Sequence, residues 1–203
     1  MRLDSLTDIQ LDALREVGSI GAGHAATALS QLVNRPVGLQ VPSIEVIDIC
    51  AVPYVLGGPE QIVCAAYARL LGDIGGGILF FASEESALSL IDLLRGRQEG
   101  ETRVLGVDEE AMLGHASSLL ISAYLAAISR MADIDVLPSP PVMVLDMAGA
   151  ILQAAVTEIG LRAEQALMVR AAFLDEQKRV DAALFFLPDP DSLSTILGRL
   201  GMA

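Results

Sequence analysis

The side chains with chemical potential in this sequence gather on two stretches of helical spacing. At about 100° per residue, Asp12, Glu16, Ser19, Gly23 and Ser30 fall on one narrow stripe. The apolar residues Leu11, Leu14, Val17, Ala25, Ala28 and Leu32 take the other side and form the expected core face. Two carboxylates followed by small polar residues make a ridge that another protein surface can approach closely. An ordinary solvated helix face has the same composition. About 99 residues later Ala111, His115, Ser118, Ser122 and Ser129 form a second stripe, again small and polar but with no acid at the matching place.

Other arrangements are excluded by spacing. His24 and His115 lie far apart in the chain without neighbouring ligands, so no metal site is expected. Gly18-Ser-Ile-Gly-Ala-Gly23 is not a nucleotide loop, because no strand precedes it and no P-loop lysine follows. Cys50 and Cys64 fall in separate predicted strands without metal-ligand spacing and read as reduced structural thiols.

The elements that carry the stripes are written twice. Leu79-Phe-Phe-Ala-Ser-Glu-Glu-Ser-Ala-Leu-Ser-Leu-Ile reads against Leu184-Phe-Phe-Leu-Pro-Asp-Pro-Asp-Ser-Leu-Ser-Thr-Ile. Ala28-Leu-Ser-Gln-Leu likewise matches Ala127-Ile-Ser-Arg-Met. The second pair has the shorter offset, which predicts an insertion near 148–159. A long helix from about Thr7 to Asn34 is expected, capped by Ser5, Thr7 or Asp8 and stopped by Pro36. A strand from Val37 to Ile49, broken near Pro42, follows. Strands at Gln61–Leu71 and Gly77–Phe81 come next, then a helix Glu84–Leu94 capped by Ser83 and ended by Gly96. Residues 95–107 join the halves. The second half repeats the plan: helix Asp108–Met131, a strand from Pro141 to Met147, an inserted helix, strands Ala166–Leu174 and Arg179–Leu187, and a final helix. The expected fold is α+β: one domain over 1–203 built from repeats at about 6–96 and 107–201. Its pseudo-twofold halves share a sheet of antiparallel strands and display two long exposed helices.

Composition narrows the partners. Hydrophobic residues make up 53% of the chain and aromatic ones only 4%, which suits small aliphatic side chains packed between helices and sheet. Thirteen basic against 26 acidic residues give a net charge of −13, unsuited to nucleic acid or to anionic membrane surfaces. A locally basic protein is the better partner, although acidity also aids solubility. No apolar run reaches the roughly 20 residues of a membrane span; Leu119–Ile128 is interrupted by Ser122 and Tyr124. The N-terminal residues lack secretory character, so a cytoplasmic setting without membrane insertion is expected.

Glu16-Val-Gly-Ser-Ile-Gly-Ala-Gly-His-Ala-Ala-Thr-Ala-Leu-Ser30, with Asp12 four residues before and Pro42 twenty-three after Ser19, resembles the CheC family of chemotaxis proteins. The family pattern is Asp or Ser, three residues, Glu, two residues, Asn, then Pro 23 positions on, usually present twice. Ile121–Ser129, Leu137–Pro141 and Val144–Leu152 also resemble the family, so the likeness covers nearly the whole chain. The length fits CheC better than the shorter CheX or the longer FliY.

The resemblance implies action on the phosphorylated response regulator CheY. In such phosphatases the Asn amide is thought to align the attacking water and the Glu to pair with a lysine of the regulator. The Mg²⁺ belongs to the regulator, so no cofactor of its own is implied. Here both Asn positions are Ser19 and Ser118, the second Glu position is His115, and its leading residue is Ala111. Only Asp12, Glu16, Pro42 and Pro141 keep the pattern, with the prolines in a structural role. Glu16, Ser19, His115 and Ser118 are the candidate catalytic positions, and Asp12, Gly23 and Ser122 the candidate partner-binding ones. His115 is either a docking group for an acidic partner residue when protonated or an ordinary exposed polar residue. A Ser hydroxyl can hold a water but lacks the amide's reach, so weakened phosphatase activity is expected. The alternative is a non-catalytic module that sequesters a phosphorylated receiver domain or regulates the receptor deamidase CheD.

Overall fold

The first long helix starts where a side chain can satisfy its free amides. Thr7 Oγ1 accepts from the Gln10 backbone N–H (3.3 Å) and Gln10 Oε1 accepts from the Thr7 N–H (3.0 Å), a reciprocal cap. The computed structural model describes residues 6–158, 165–175 and 178–202, with backbone only at 41, 42, 157, 158, 175 and 178. Helix α1 (Asp8–Val33) ends on Asn34 in the left-handed conformation, φ 52°, just before Pro36. Its counterpart α4 (Val107–Ala132) starts where the Glu109 carboxylate accepts from the Gly106 N–H (3.2 Å) and ends on Asp133, φ 49°.

Seven strands follow the chain among the described residues: β1 (Gly38–Asp48), β2 (Ile62–Gly72), β3 (Gly76–Ser83), β4 (Val136–Pro138), β5 (Val142–Met147), β6 (Gln165–Asp175) and β7 (Lys178–Pro188). They form one sheet in the order β1-β6-β7-β3-β2, with β4 and β5 both beside β2, and every pair is antiparallel. Exchanging β1 for β5, β2 for β6 and β3 for β7 turns the order β1-β6-β7-β3-β2-β5 into its own reverse. The sheet thus maps onto itself about the β7–β3 pair.

Side chains alternate across the pleat. Cys64, Ala66, Ala68 and Leu70 of β2 face a core shared with α1, α4, α3 (Glu84–Arg95) and α6 (Pro190–Arg199). Val63, Ala65 and Tyr67 face a smaller core under α2 (Val52–Val55) and α5 (Ala148–Glu158). Phe81 and Phe185 stack edge to face there, centroids 5.3 Å apart. Each fully buried Leu or Phe contributes about 1.5–3 kcal/mol, so the four-helix side carries most of the apolar stabilisation. Three polar contacts tie the long helices down. Gln10 Nε2 donates to Met202 O (2.7 Å), Arg35 Nη2 to Leu93 O (3.0 Å), and Arg95 pairs with Glu109 (2.7 Å). The C-terminal end of α3 therefore sits between the end of α1 and the start of α4.

Several expectations are corrected. Each long helix buries one side on the sheet and on the other helix and keeps its polar stripe outward, as expected, but the buried set differs in detail. On α1 the buried apolar set is Leu14, Val17, Ala22, Ala25, Ala26 and Leu29, whereas Leu32 is 38% exposed and Leu11 and Ala28 are half-buried. The close approach of α4 rotates burial toward the small residues. The first strand is not broken at Pro42. It continues through a bulge between Gln40 and Ser43, where a residue without an N–H is tolerated. The helix near 148–158 is not an extra element, because Ile49–Val55 forms a shorter helical segment at the same place in the first half. Cys50 accordingly lies in a 3-10 turn, not a strand. The last residue of the predicted insertion, 159, lies outside the described residues. By length and composition α4 is apolar enough to cross a membrane, but half of that stretch is buried inside the protein.

Two glycines of α1 separate packing from propensity. A Cβ on Gly21 would lie 2.6 Å from the buried Tyr124 ring, whereas one on Gly23 would meet nothing within 4 Å. Gly21→Ala is expected to destabilise the protein by about 1–3 kcal/mol. Gly23→Ala should instead stabilise it by about 0.5–1 kcal/mol. Urea unfolding midpoints of the two variants check both signs.

Candidate functional site

The outward side of α1 is fixed by what its inner side must do. With Gly18, Gly21, Ala22 and Ala25 buried, Asp12, Glu16 and Ser19 are left exposed. Asp12 forms a solvent-exposed ion pair with Arg15 (3.0 Å), which such pairs hold only weakly. Glu16 has no hydrogen-bond or ion-pair partner among the described residues, and neither has the Ser19 hydroxyl. Three residues apart on a helix, their Cβ atoms are about 5–6 Å from each other. Gly23 continues the ridge as open, half-buried surface.

Ser30 does not belong to this ridge in function. Its Oγ accepts from the Val37 N–H (3.0 Å) and donates to Ala26 O (2.9 Å), clamping the chain as it leaves the helix. Ser129 also holds the chain as it leaves α4, by a different bond, donating to Ile134 O at 2.6 Å. The matched serines at this end of each stripe are structural.

On α4, His115 and Ala111 are exposed, and Ser118 and Ser122 are half-buried. None of the three polar groups has a partner among the described residues. No hydrogen bond or ion pair joins Glu16 or Ser19 to His115 or Ser118, so the structure presents two ridges rather than one assembled cluster. Ser117, their inward neighbour, is fully buried with an unpaired hydroxyl, as is Tyr124. Pro141 is half-buried immediately before β5. Pro42 lies in β1 at the bulge, and its side chain is outside the described set.

The link between the helices is one that spacing alone did not reveal. Arg130 Nη2 lies 3.1 Å from His24 Nδ1 at the exposed end of the α1–α4 contact. The same Nη2 lies 3.4 Å from His24 Nε2, so the guanidinium nitrogen stands against the ring as a whole. The signal was present only as a His and an Arg in different halves.

The remaining titratable groups do not add a second centre. Burial, and secondarily the nearby Glu110, push the Cys64 thiol up to about 11, so it stays protonated and inert. The Glu109 carboxyl is held below its usual range by its own backbone N–H and by Arg95, which serves the helix start. No group of three or more His, Cys, Asp or Glu able to hold a metal exists among the described residues. The chemistry on offer is a free carboxylate beside a free hydroxyl on one ridge, and an imidazole beside a hydroxyl on the other.

Comparison with known proteins places this geometry. The pattern of the CheC-like family matches residues 9–46, the segment that carries the first ridge. The chain is 31% identical to the CheY-P phosphatase CheC of Bacillus subtilis (strain 168), over 98% of this chain and 97% of that protein. It is 27% identical to the flagellar motor switch phosphatase FliY of the same organism, over 68% of this chain and 36% of that one. The structure of Thermotoga maritima FliY shares the fold, with a TM-score of 0.78 at 16% identity, covering 97% of this chain and 98% of that one.

Exposed, unpartnered side chains contribute little to folding. Glu16→Ala and Ser19→Ala are expected to leave stability within about 0.5 kcal/mol of the parent. Ser30→Ala, which removes the hydroxyl's bonds to Ala26 and Val37, should lose about 1–2 kcal/mol. Chemical denaturation of the three variants tests this division.

Proposed function

The chain belongs to the CheC-like family of chemotaxis proteins, and from that premise we propose that it docks a phosphorylated CheY-like response regulator on the α1 ridge and hydrolyses its phosphoaspartate slowly. The observation that carries this reading is the pair Glu16 and Ser19, side by side, exposed and unpaired. Glu16 supplies an acceptor for a lysine of the regulator; a charge-assisted pair of this kind fixes orientation as well as adding affinity. The overall charge of −13 favours approach of a locally basic surface.

Hydrolysis of an acyl phosphate needs a water in line with the departing carboxylate. The water oxygen bonds to phosphorus as the bond from phosphorus to the aspartyl oxygen breaks. Catalysis by the partner protein is then mainly positioning. The Mg²⁺ that stabilises the charge is the regulator's own, and no cofactor is assigned to this chain. Ser19 can accept from and donate to that water. Its oxygen is one carbon from the backbone, so it holds the water farther from the phosphorus than the family's Asn amide would. A misplacement of about 1 Å costs on the order of 100-fold in rate. The α4 ridge lacks a carboxylate, so His115 and Ser118 form the weaker site. The two ridges derive from an internal duplication, and the setting is cytoplasmic.

The same Asn-to-Ser changes favour a second reading, in which the ridge holds a phosphorylated receiver domain, or answers to the deamidase CheD, without turnover. Decay of ³²P-labelled phospho-CheY, with and without the protein and CheD, separates the two. We expect measurable acceleration that Glu16→Ala reduces at least tenfold through weaker docking. Ser19→Asn should raise turnover about 10–100-fold, and Ser118→Asn alone should change it less than about twofold. Binding of phospho-CheY with no acceleration by the parent or by Ser19→Asn would establish the sequestering role instead.

A further inference from the structure

The outer face of the sheet is not fully closed by α5. A cavity of about 310 Å³ lies between β2, β5 and α5, with Val142, Val144, Ile151 and Ala154 along its apolar wall. This volume is at the small end of the range that holds small-molecule ligands. Tyr67, Arg69 and Ser139 line the same cavity. Tyr67 is only 9% exposed, and its O–H finds no acceptor among the described residues, since the Arg69 guanidinium beside it can only donate. Buried polar atoms are nearly always paired, so an orphan lining a cavity marks a place for a partner from outside the chain.

Burial holds the Tyr67 phenol protonated, its pKa pushed up to about 12 despite the opposing charge of Arg69. It is therefore a donor at neutral pH. Arg69, two residues along β2, is on the same face of the strand. No carboxylate forms an ion pair with it among the described residues. Asp146 also lines the cavity, but it stands opposite Val63, six residues along β2 from Arg69. Asp146 therefore stands at the end of the cavity away from Arg69, with Val144 and Val142 between them along the strand pair.

The corresponding groove in the first half has a different character. It is lined by Ser43, Arg170 and Arg179, and Arg179 is tied to Asp181 at 2.8 Å. Among the described residues, the groove under α5 combines an apolar wall with a buried hydroxyl whose O–H has no acceptor.

We propose that this cavity binds a small amphipathic carboxylate, its head held by the Tyr67 hydroxyl and the Arg69 guanidinium and its apolar body lying against Val142, Val144 and Ile151. The site is separate from the ridges and does not depend on the reading given to them. Calorimetric titration of the full chain with octanoate tests it. A ligand of about ten non-hydrogen atoms is expected to bind with a Kd on the order of 0.1–1 mM. Arg69→Gln and Tyr67→Phe should each weaken binding, the former about tenfold or more, and 1-octanol should bind about tenfold less well than octanoate. Ala150→Leu, which fills the cavity from α5, should abolish it. The proposal is overturned if the folded parent gives no saturable octanoate signal up to about 10 mM, or if Arg69→Gln and Ala150→Leu bind octanoate as the parent does.

Discussion

The ring of Tyr124 lies on the backbone of Gly21, and the disposition of both ridges depends on that contact. A helix with no Cβ at the crossing point lets the aromatic ring approach the main chain, so α1 and α4 share a buried seam of small residues. Interiors are close-packed and yield little to volume changes. The seam therefore fixes the rotation of each helix about its axis. Once that rotation is set, the residues left facing outward on α1 are Asp12, Glu16 and Ser19, and on α4 Ala111 and His115, with Ser118 and Ser122 at the edge. The Tyr124 hydroxyl remains buried without a partner, so this packing is reached at the expense of one polar atom.

The two halves share geometry but not chemistry. Ser30 and Ser129 each hold the chain at the end of a long helix, and each long helix starts beside the end of a shorter one, through Gln10 with Met202 and through Glu109 with Arg95. Structural positions play matching roles in the two halves. The outward positions do not: a carboxylate on one ridge stands where the other has an imidazole, and the grooves on the far face of the sheet are lined by different side chains. Packing constrains the first set through many neighbours at once, while an exposed side chain is constrained only by whatever docks on it.

The chain belongs to the CheC-like family, and the first ridge lies within the segment that matches the family pattern. A hydroxyl and a planar amide both bind water, but they hold it at different distances from the helix axis. In the proposed function, docking through Glu16 is insensitive to that difference, whereas in-line attack is acutely sensitive to it. Binding and turnover can therefore part company at a single side chain without any change of fold.

Much of this was determined by the sequence alone. Helical spacing located α1 and α4, Thr7 and Pro36 bounded the first of them, and the repeated Leu-Phe-Phe runs marked β3 and β7, because periodicity and capping are local properties of the chain. The outward stripe of Asp12, Glu16 and Ser19 was legible for the same reason. Tertiary structure decided what depends on neighbours distant in sequence. It moved burial from Leu32 to Leu29, recruited Ser30 and Ser129 to hold the chain, placed Arg130 on His24, and left the Tyr67 O–H without an acceptor beside a cavity. A helix pattern specifies which side is apolar, but only the second helix and the sheet specify how that side is divided between them.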